Sequence, residues 1–156
     1  VEPDRFSAPE LTAVEAMMPL LLAVLRGGIA AAIMTYFWYQ VGLAVGNSIP
    51  YVALVIGFGV GLAVRIGGDP YNVIYRVIAC VLAAGSIAIG NAFIELNHLA
   101  ASTRHTVGET YSDIGLGGTL DLVMHRTSFV DIAFYLIAVG AAYYVSSKTS
   151  WGKKKD

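Results

Sequence analysis

Residues 49–71 read IPYVALVIGFGVGLAVRIGGDPY, an apolar run that is followed by Arg65 and by the glycine pair Gly67 and Gly68. Within the run, Gly57 and Gly61 are four residues apart, the small-residue spacing through which transmembrane helices approach each other closely. We therefore predict a membrane span whose packing face is Gly57 and Gly61. A channel-lining or ligand-approach surface is the alternative interpretation of the same spacing.

The composition of the whole chain decides its class. Of its 156 residues 56% are hydrophobic and only 13% are charged, and the mean hydropathy of +0.66 lies far above that of a soluble domain. The sequence therefore predicts an all-α polytopic membrane protein whose first partner is the lipid bilayer, with no nucleic-acid partner. Cys80 is the single cysteine, which excludes an internal disulfide and a thiolate metal cluster built by this chain alone.

Three further apolar runs predict three further spans. The run from 27 to 45 carries no charge over 19 residues, enough to cross about 30 Å of hydrocarbon. Asp69 and Pro70 predict the start of the next helix, because Asp is a favoured N-cap and proline fits the first helical position. Ser128 and Asp131 have the spacing of a capping box at the start of the last span. The four predicted spans are 27–46, 49–66, 70–97 and 128–147.

The N-terminal region, residues 1–26, is predicted to form a tail and an interfacial amphipathic helix. Apolar residues such as Met18, Leu21 and Leu25 recur there at intervals of three and four, with acidic residues off that stripe. The Arg26-Gly27-Gly28 stretch is predicted to separate this helix from the first span.

The distribution of cations predicts how the chain is oriented. Four spans place both termini on one side of the membrane, with residues 98–127 as an outward loop and 148–156 as a basic tail. The terminus-side segments carry eight Lys and Arg residues and the other side carries two, Arg104 and Arg126. By the positive-inside rule both termini are cytoplasmic, in a bacterial inner membrane or an equivalent organellar inner membrane. The eight are Arg5, Arg26, Arg65, Arg76, Lys148, Lys153, Lys154 and Lys155.

Four consecutive aromatic residues, Tyr36, Phe37, Trp38 and Tyr39, fall near the middle of the first span. Tryptophan and tyrosine usually lie at the membrane interfaces, so these rings are candidates for an interface within the membrane. One interpretation is that they fill gaps against glycine-rich neighbouring helices, and the other is a quinone, pigment or lipid site.

The third predicted span offers a second small-residue face and a polar group. Ser86 and Gly90 are four residues apart, which again favours close helix packing. Asn91 follows directly, and we expect its amide to hydrogen-bond across the bundle, because an amide in an apolar environment requires a partner.

The segment around the predicted outward loop gathers the residues that could bind a metal. Glu95 and His98 are three residues apart, and Asp121 and His125 are four apart, so each pair lies on one side of a helix if those stretches are helical. Carboxylate and imidazole ligands suit zinc, copper or iron. The alternative is an ordinary polar loop or a surface for docking a partner, with no cofactor.

Residues 56–68, IGFGVGLAVRIGG, carry a family resemblance. Together with the glycine-containing span before them and the alanine-rich span that ends in Gly90-Asn91, they resemble a module found in many small bacterial membrane proteins of uncharacterised function. The resemblance covers residues 27–94 and implies a core of three spans. That family has no established activity, so it supplies no site residues.

No phosphate-binding loop or nucleophilic triad is present, and the sequence therefore favours a protein without catalytic activity of its own. Two hypotheses follow. The first is a structural or accessory subunit that docks onto a larger respiratory, photosynthetic or oxygenase-like membrane complex, with a homo-oligomer as a further arrangement. The second is a redox component with a metal, haem or quinone site near the outward loop.

Overall fold

The computed structural model describes residues 13–45, 50–67 and 72–147, which form five α-helices with no strand among them. The predicted all-α class is confirmed for this part of the chain. The basic tail, the Asp69-Pro70 helix start and residues 1–12 lie outside the described residues. In chain order the helices are α1 (Ala13–Val45), α2 (Pro50–Gly67), α3 (Val73–Thr103), α4 (Val107–Arg126) and α5 (Phe129–Ser147).

Three of these helices are long and apolar enough to cross a membrane, which supports the predicted membrane class. The apolar stretches are Met17–Val45 in α1, Val73–Thr103 in α3 and Phe129–Ser147 in α5. Helix α2 is apolar over Tyr51–Ile66 and is shorter. At about 1.5 Å per residue this stretch rises about 24 Å, which is less than the hydrocarbon thickness of about 30 Å.

The helices pack around a core that is rich in alanine. Helix α2 packs against α1, α3 and α5, and α3 also packs against α1, α4 and α5. Small side chains at the contacts let the helix axes come close together, and bulkier ones from α2 fill the centre. The fully buried residues of this core include Ala23, Ala53, Ile56, Val60, Val64, Ala79, Ala83, Ala138 and Ala142.

Helix α1 is continuous, whereas the sequence predicts a separation at Arg26-Gly27-Gly28 between an interfacial helix and a span. Gly27 is held in a close contact, since a Cβ there would lie 2.6 Å from Val64 Cγ2 and 2.7 Å from Leu82 Cδ1. Each glycine in a helix interior costs about 1 kcal/mol relative to alanine. Packing of Gly27 against α2 and α3 offsets that cost, and α1 continues through both glycines.

Arg26 lies in the middle of this long helix and contacts the end of α2. Its guanidinium Nη1 donates a hydrogen bond to the carbonyl oxygen of Ile66 at 3.1 Å. The last carbonyls of a helix have no partner within the helix and carry partial negative charge, so a cation stabilises them. Arg26 therefore ties α1 to the C-terminal end of α2.

Helices α2 and α5 approach each other closely. A Cβ at Gly57 would overlap the carbonyl oxygen of Ala138, and one at Gly61 would lie 2.7 Å from the carbonyl oxygen of Ala142. Backbone therefore meets backbone at two successive turns, and both positions require glycine because no side chain fits there.

Residues 98–127, the predicted outward loop, are largely helical, and their outward placement stays a prediction. Helix α3 continues to Thr103, and α4 begins with a capping box in which Glu109 N donates to Thr106 Oγ1 at 3.2 Å. The backbone N–H of Thr106 donates in return to Glu109 Oε2 at 2.8 Å. This Thr-x-x-Glu spacing is present in the sequence and is a helix-start signal in its own right.

The starts of α3 and α5 are also capped. Asn72 is the N-cap of α3, its Oδ1 accepting from Ile74 N at 3.0 Å, and the helix continues from Val73. For α5 the predicted capping box is confirmed, since Asp131 N donates to Ser128 Oγ at 3.2 Å and Ser128 N donates to Asp131 Oδ2 at 2.8 Å. Local side-chain chemistry therefore sets both helix starts.

The Gly57→Ala substitution should destabilise the bundle, because the added methyl group must push α5 away from α2. We expect a loss of about 1–3 kcal/mol of unfolding free energy, the usual cost of overpacking a core. Unfolding in detergent micelles by titration with a denaturing detergent measures this change.

Gly140→Ala is the matched control, since a Cβ at Gly140 meets nothing within 4 Å. Its unfolding free energy should stay unchanged or rise by up to about 1 kcal/mol through better helix propensity. Equal stabilities of the two variants would contradict the close contact between α2 and α5.

Candidate functional site

The four aromatic residues predicted as interface candidates do not act as one cluster. Trp38 is buried with 2% of its surface exposed, Tyr39 is half-buried, and Tyr36 and Phe37 are exposed. Successive residues on a helix are about 100° apart, so four in a row cannot face one neighbour. The gap-filling interpretation describes Trp38, whose indole Cδ1 would lie 2.5 Å from a Cβ at Gly90.

Asn91 joins three helices through hydrogen bonds, as the sequence predicts. Trp38 Nε1 donates to Asn91 Oδ1 at 3.1 Å, and Asn91 Nδ2 donates to the hydroxyl of Tyr135 at 2.8 Å. The three residues belong to α1, α3 and α5. A buried amide costs little free energy only when its polar atoms are paired, so these bonds select one arrangement of the three helices.

Two further amide–phenol pairs lie towards the same end of the bundle. Asn97 Nδ2 donates to the hydroxyl of Tyr39 at 3.2 Å, and the ring of Tyr39 meets Phe93 edge-on at 6.1 Å between centroids. Gln40 Nε2 donates to the hydroxyl of Tyr36 one turn earlier on α1. Phenols and amides are suited to the boundary between hydrocarbon and headgroups, where one part of the side chain is apolar and the other is polar.

Glu95 lies one turn beyond Asn91 on α3, and its side chain is only 12% exposed. Its Oε2 is 3.8 Å from Nε of the exposed Arg126, and it accepts no hydrogen bond from the described residues. The ion pair connects the end of α4 to α3. Since a buried carboxylate is costly without a counter-charge, Arg126 stabilises Glu95 in this position.

Of the other candidate metal ligands, His98 is half-buried on α3, and Asp121 and His125 form a local, exposed pair. His125 Nδ1 lies 3.3 Å from Asp121 Oδ1, and both side chains are about three-quarters exposed. No group of three or more His, Cys, Asp or Glu side chains comes together among the described residues. The predicted ligands Glu95, His98, Asp121 and His125 therefore do not assemble there into one site of the three or four protein ligands that zinc takes.

No protein-family model, curated protein or solved structure matches this chain. The resemblance of residues 56–68 to a bacterial membrane module stays a prediction. The functional argument therefore depends on the surfaces and contacts of the described helices.

A large concave surface of the described helices lies between α1 and α3, and we call it the α1/α3 groove. It encloses about 860 Å³ and is lined mainly by apolar atoms. Its floor is formed by small residues from both helices, and its far end by aromatic ones. The small residues are Gly28, Ala31, Ala32, Thr35, Gly85 and Ser86, and the aromatic ones are Tyr36, Tyr39 and Phe93.

The two hydroxyl groups on the floor of the α1/α3 groove are already hydrogen-bonded. Thr35 Oγ1 donates to Ala31 O at 2.9 Å and lies 3.4 Å from Ser86 O, while Ser86 Oγ lies 2.9 Å from Leu82 O and 3.2 Å from Ala31 O. These bonds link the two helices at the floor. A molecule bound in the groove would therefore contact mainly apolar atoms.

Sequence reasoning missed the α1/α3 groove, although a signal for it was present. Gly28 and Ala32 are four residues apart on α1, the same spacing that singles out Gly57 and Gly61. Gly57 and Gly61 face α5, and Ser86 and Gly90 face α1. Spacing alone cannot distinguish small residues that pack inside the chain from those that remain open.

Replacing Asn91 by leucine should destabilise the bundle by about 1–3 kcal/mol, because the buried indole N–H of Trp38 then has no acceptor. Tyr135→Phe keeps the bond between Trp38 and Asn91, so its loss should be nearer about 0.6 kcal/mol, the average for a hydrogen bond within a membrane protein. Unfolding in detergent micelles measures both. Equal losses would show that the indole bond is unimportant.

The start of α4 should depend on pH through Glu109, whose pKa is lowered below the usual glutamate range by hydrogen bonds from the backbone and side chain of Thr106. Because the folded pKa is lowered, this stabilisation is complete above the ordinary value of about 4.3 and is lost as the pH falls through the lowered value. Hydrogen-exchange protection at the amides of Glu109 and Thr110 should fall in that window. In Glu109→Gln, which cannot ionise, protection should not change with pH.

Proposed function

We propose that this chain is a structural or accessory subunit of a larger integral membrane complex, and that the α1/α3 groove receives a transmembrane helix of another subunit. The observation that supports the proposal is the groove, an open, small-residue surface between two helices of membrane-spanning length. Helices in a bilayer associate through such surfaces, because close backbone approach provides the packing energy that hydrophobic burial supplies in water.

Two neighbouring glycines of α1 show how this groove differs from the internal contacts. A Cβ at Gly27 would collide with Val64 and Leu82, so the packing of this chain itself requires that glycine. A Cβ at Gly28 or at Gly85 meets nothing within 4 Å. Side chains could be accommodated at both groove positions, and their absence leaves room for a helix from outside the chain.

The chemistry of the groove suits a helix more than a polar ligand. Its hydroxyls at Thr35 and Ser86 are engaged with backbone carbonyls of α1 and α3. Its remaining lining is largely alanine, glycine and larger apolar residues, which contribute dispersion contacts. Tyr36 and Tyr39 at one end supply hydroxyl groups that can hydrogen-bond to a partner helix and fix its position along the groove.

We further propose four spans with both termini cytoplasmic in a bacterial or equivalent organellar inner membrane, α2 being a short fourth span that packs against α1, α3 and α5. The positions of the arginines support this topology. Arg26 contacts Ile66, the residue that follows Arg65. Arg76 lies over the ring of Tyr143, 5.6 Å from its centroid. Tyr143 is near the C-terminal end of α5, whereas Arg126 precedes its N-terminal end. Arg26 and Arg65, two cations predicted to share one side, thus lie at the same end of α2.

Purification of the tagged chain from its native membrane tests the proposal. The wild type should co-purify with one or more larger integral membrane proteins in a constant ratio. Gly85→Leu should lose that partner, because the leucine side chain fills the groove from its floor.

Gly140→Leu is the matched control, since Gly140 is also open but lies on α5 outside the groove. It should retain the partner, and both variants should unfold at the same denaturant concentration as the wild type. Retention of the partner by Gly85→Leu would contradict docking at the groove, and a wild type that purifies alone would contradict the accessory-subunit function.

A further inference from the structure

The second half of α4, residues 116–126, has three distinct sides, and one of them faces no other described helix. A backbone kink at Gly115, with φ of 64°, separates it from the first half. Of the described helices, α4 packs only against α3. Its inner side carries Thr119, which is buried, and Leu122 and Val123, which are half-buried.

The outer surface of this half-helix divides into an apolar side and a polar side. Leu116, Leu120 and Met124 are all exposed and follow each other at intervals of four, so at about 100° per residue they fall within a sector of about 80°. Asp121 and His125 are exposed on a sector beginning about 60° further round. A helix with an apolar stripe beside a polar side is typical of the membrane interface.

The two sides point towards different levels of α3. Asp121 and His125 share a cleft with Leu99, near the C-terminal end of α3. Val123, on the flank nearer the apolar stripe, shares another cleft with Ala88 and Asn91. Leu99 and Ala88 are separated by about 16 Å along the helix axis, at about 1.5 Å per residue. The polar side is thus turned towards the end of the bundle and the apolar stripe towards its middle.

From these observations we infer that residues 116–126 form an interfacial segment whose stripe of Leu116, Leu120 and Met124 is inserted among lipid acyl chains at the edge of the bilayer. Short connections hold the segment there, since only residues 104–106 and 127–128 separate α4 from the membrane-length helices α3 and α5. The ion pair between Glu95 and Arg126 fixes its C-terminal end against α3.

Lipid is the occupant that the surroundings favour. Phe129 and Val130, the first residues of α5, are exposed apolar side chains that continue the surface directly beyond the half-helix, and α5 itself is of membrane-spanning length. The stripe is therefore continuous along the chain with a surface that lipid covers. This inference does not depend on the α1/α3 groove, which α4 borders only through Val107.

Fluorescence quenching in vesicles tests the inference on the full chain. In a Cys80→Ala background, single cysteines at Leu116, Leu120 or Met124 carry an environment-sensitive fluorophore, and cysteines at Asp121 or His125 are the matched controls on the polar side.

The protein is reconstituted in phosphatidylcholine–phosphatidylglycerol vesicles. Quenchers are a nitroxide on the lipid acyl chain and iodide in the water. Leu136→Cys, exposed on α5, reports insertion of the bundle.

The acyl-chain nitroxide should quench fluorophores at the stripe positions severalfold more than fluorophores at the control positions. Emission from the stripe positions should be blue-shifted. Iodide should quench the control positions more than the stripe positions. Equal quenching on both sides of the helix would overturn the inference and place α4 in water. Protection of the stripe from both quenchers would also overturn it, because protein rather than lipid would then cover Leu116, Leu120 and Met124.

Discussion

The contact on which the bundle depends is the backbone-to-backbone approach of α2 and α5 at Gly57 and Gly61. Only glycine fits there, because a Cβ at either position would meet carbonyl groups of Ala138 and Ala142. The approach places α2, the shortest apolar helix, between longer helices that pack against it. It also brings α5 to α3, where Tyr135 hydrogen-bonds Asn91.

Polar groups in this bundle act as connectors between helices. Asn91 joins α1, α3 and α5, Arg26 joins α1 to the end of α2, and the ion pair of Glu95 with Arg126 joins α3 to α4. In an apolar environment an unpaired polar atom is costly, so each of these residues favours the arrangement that supplies its partner. Apolar packing determines how close the helices come, and the polar pairs determine their register.

The surfaces that remain after these contacts are made are the ones available for function. The α1/α3 groove retains small residues that no contact of the chain requires, and α4 retains an apolar stripe that no described helix covers. The residues with the clearest metal-binding chemistry in the sequence are instead used locally, Glu95 in its pair with Arg126 and Asp121 with His125. The function that we propose therefore depends on helix surfaces.

The sequence by itself determined the helical membrane class, the apolar stretches of α1, α3 and α5, the capping box of α5 and the bonding role of Asn91. These depend on composition, on spacing within a few residues and on the cost of an unpaired amide. Only the tertiary structure decided that α1 continues through Gly27 and Gly28, that Gly57 faces inwards while Gly28 faces outwards, and that residues 107–126 form a kinked helix on α3. The reason is physical: a glycine has the same local properties in a contact as in open space, and only residues distant in the chain distinguish the two.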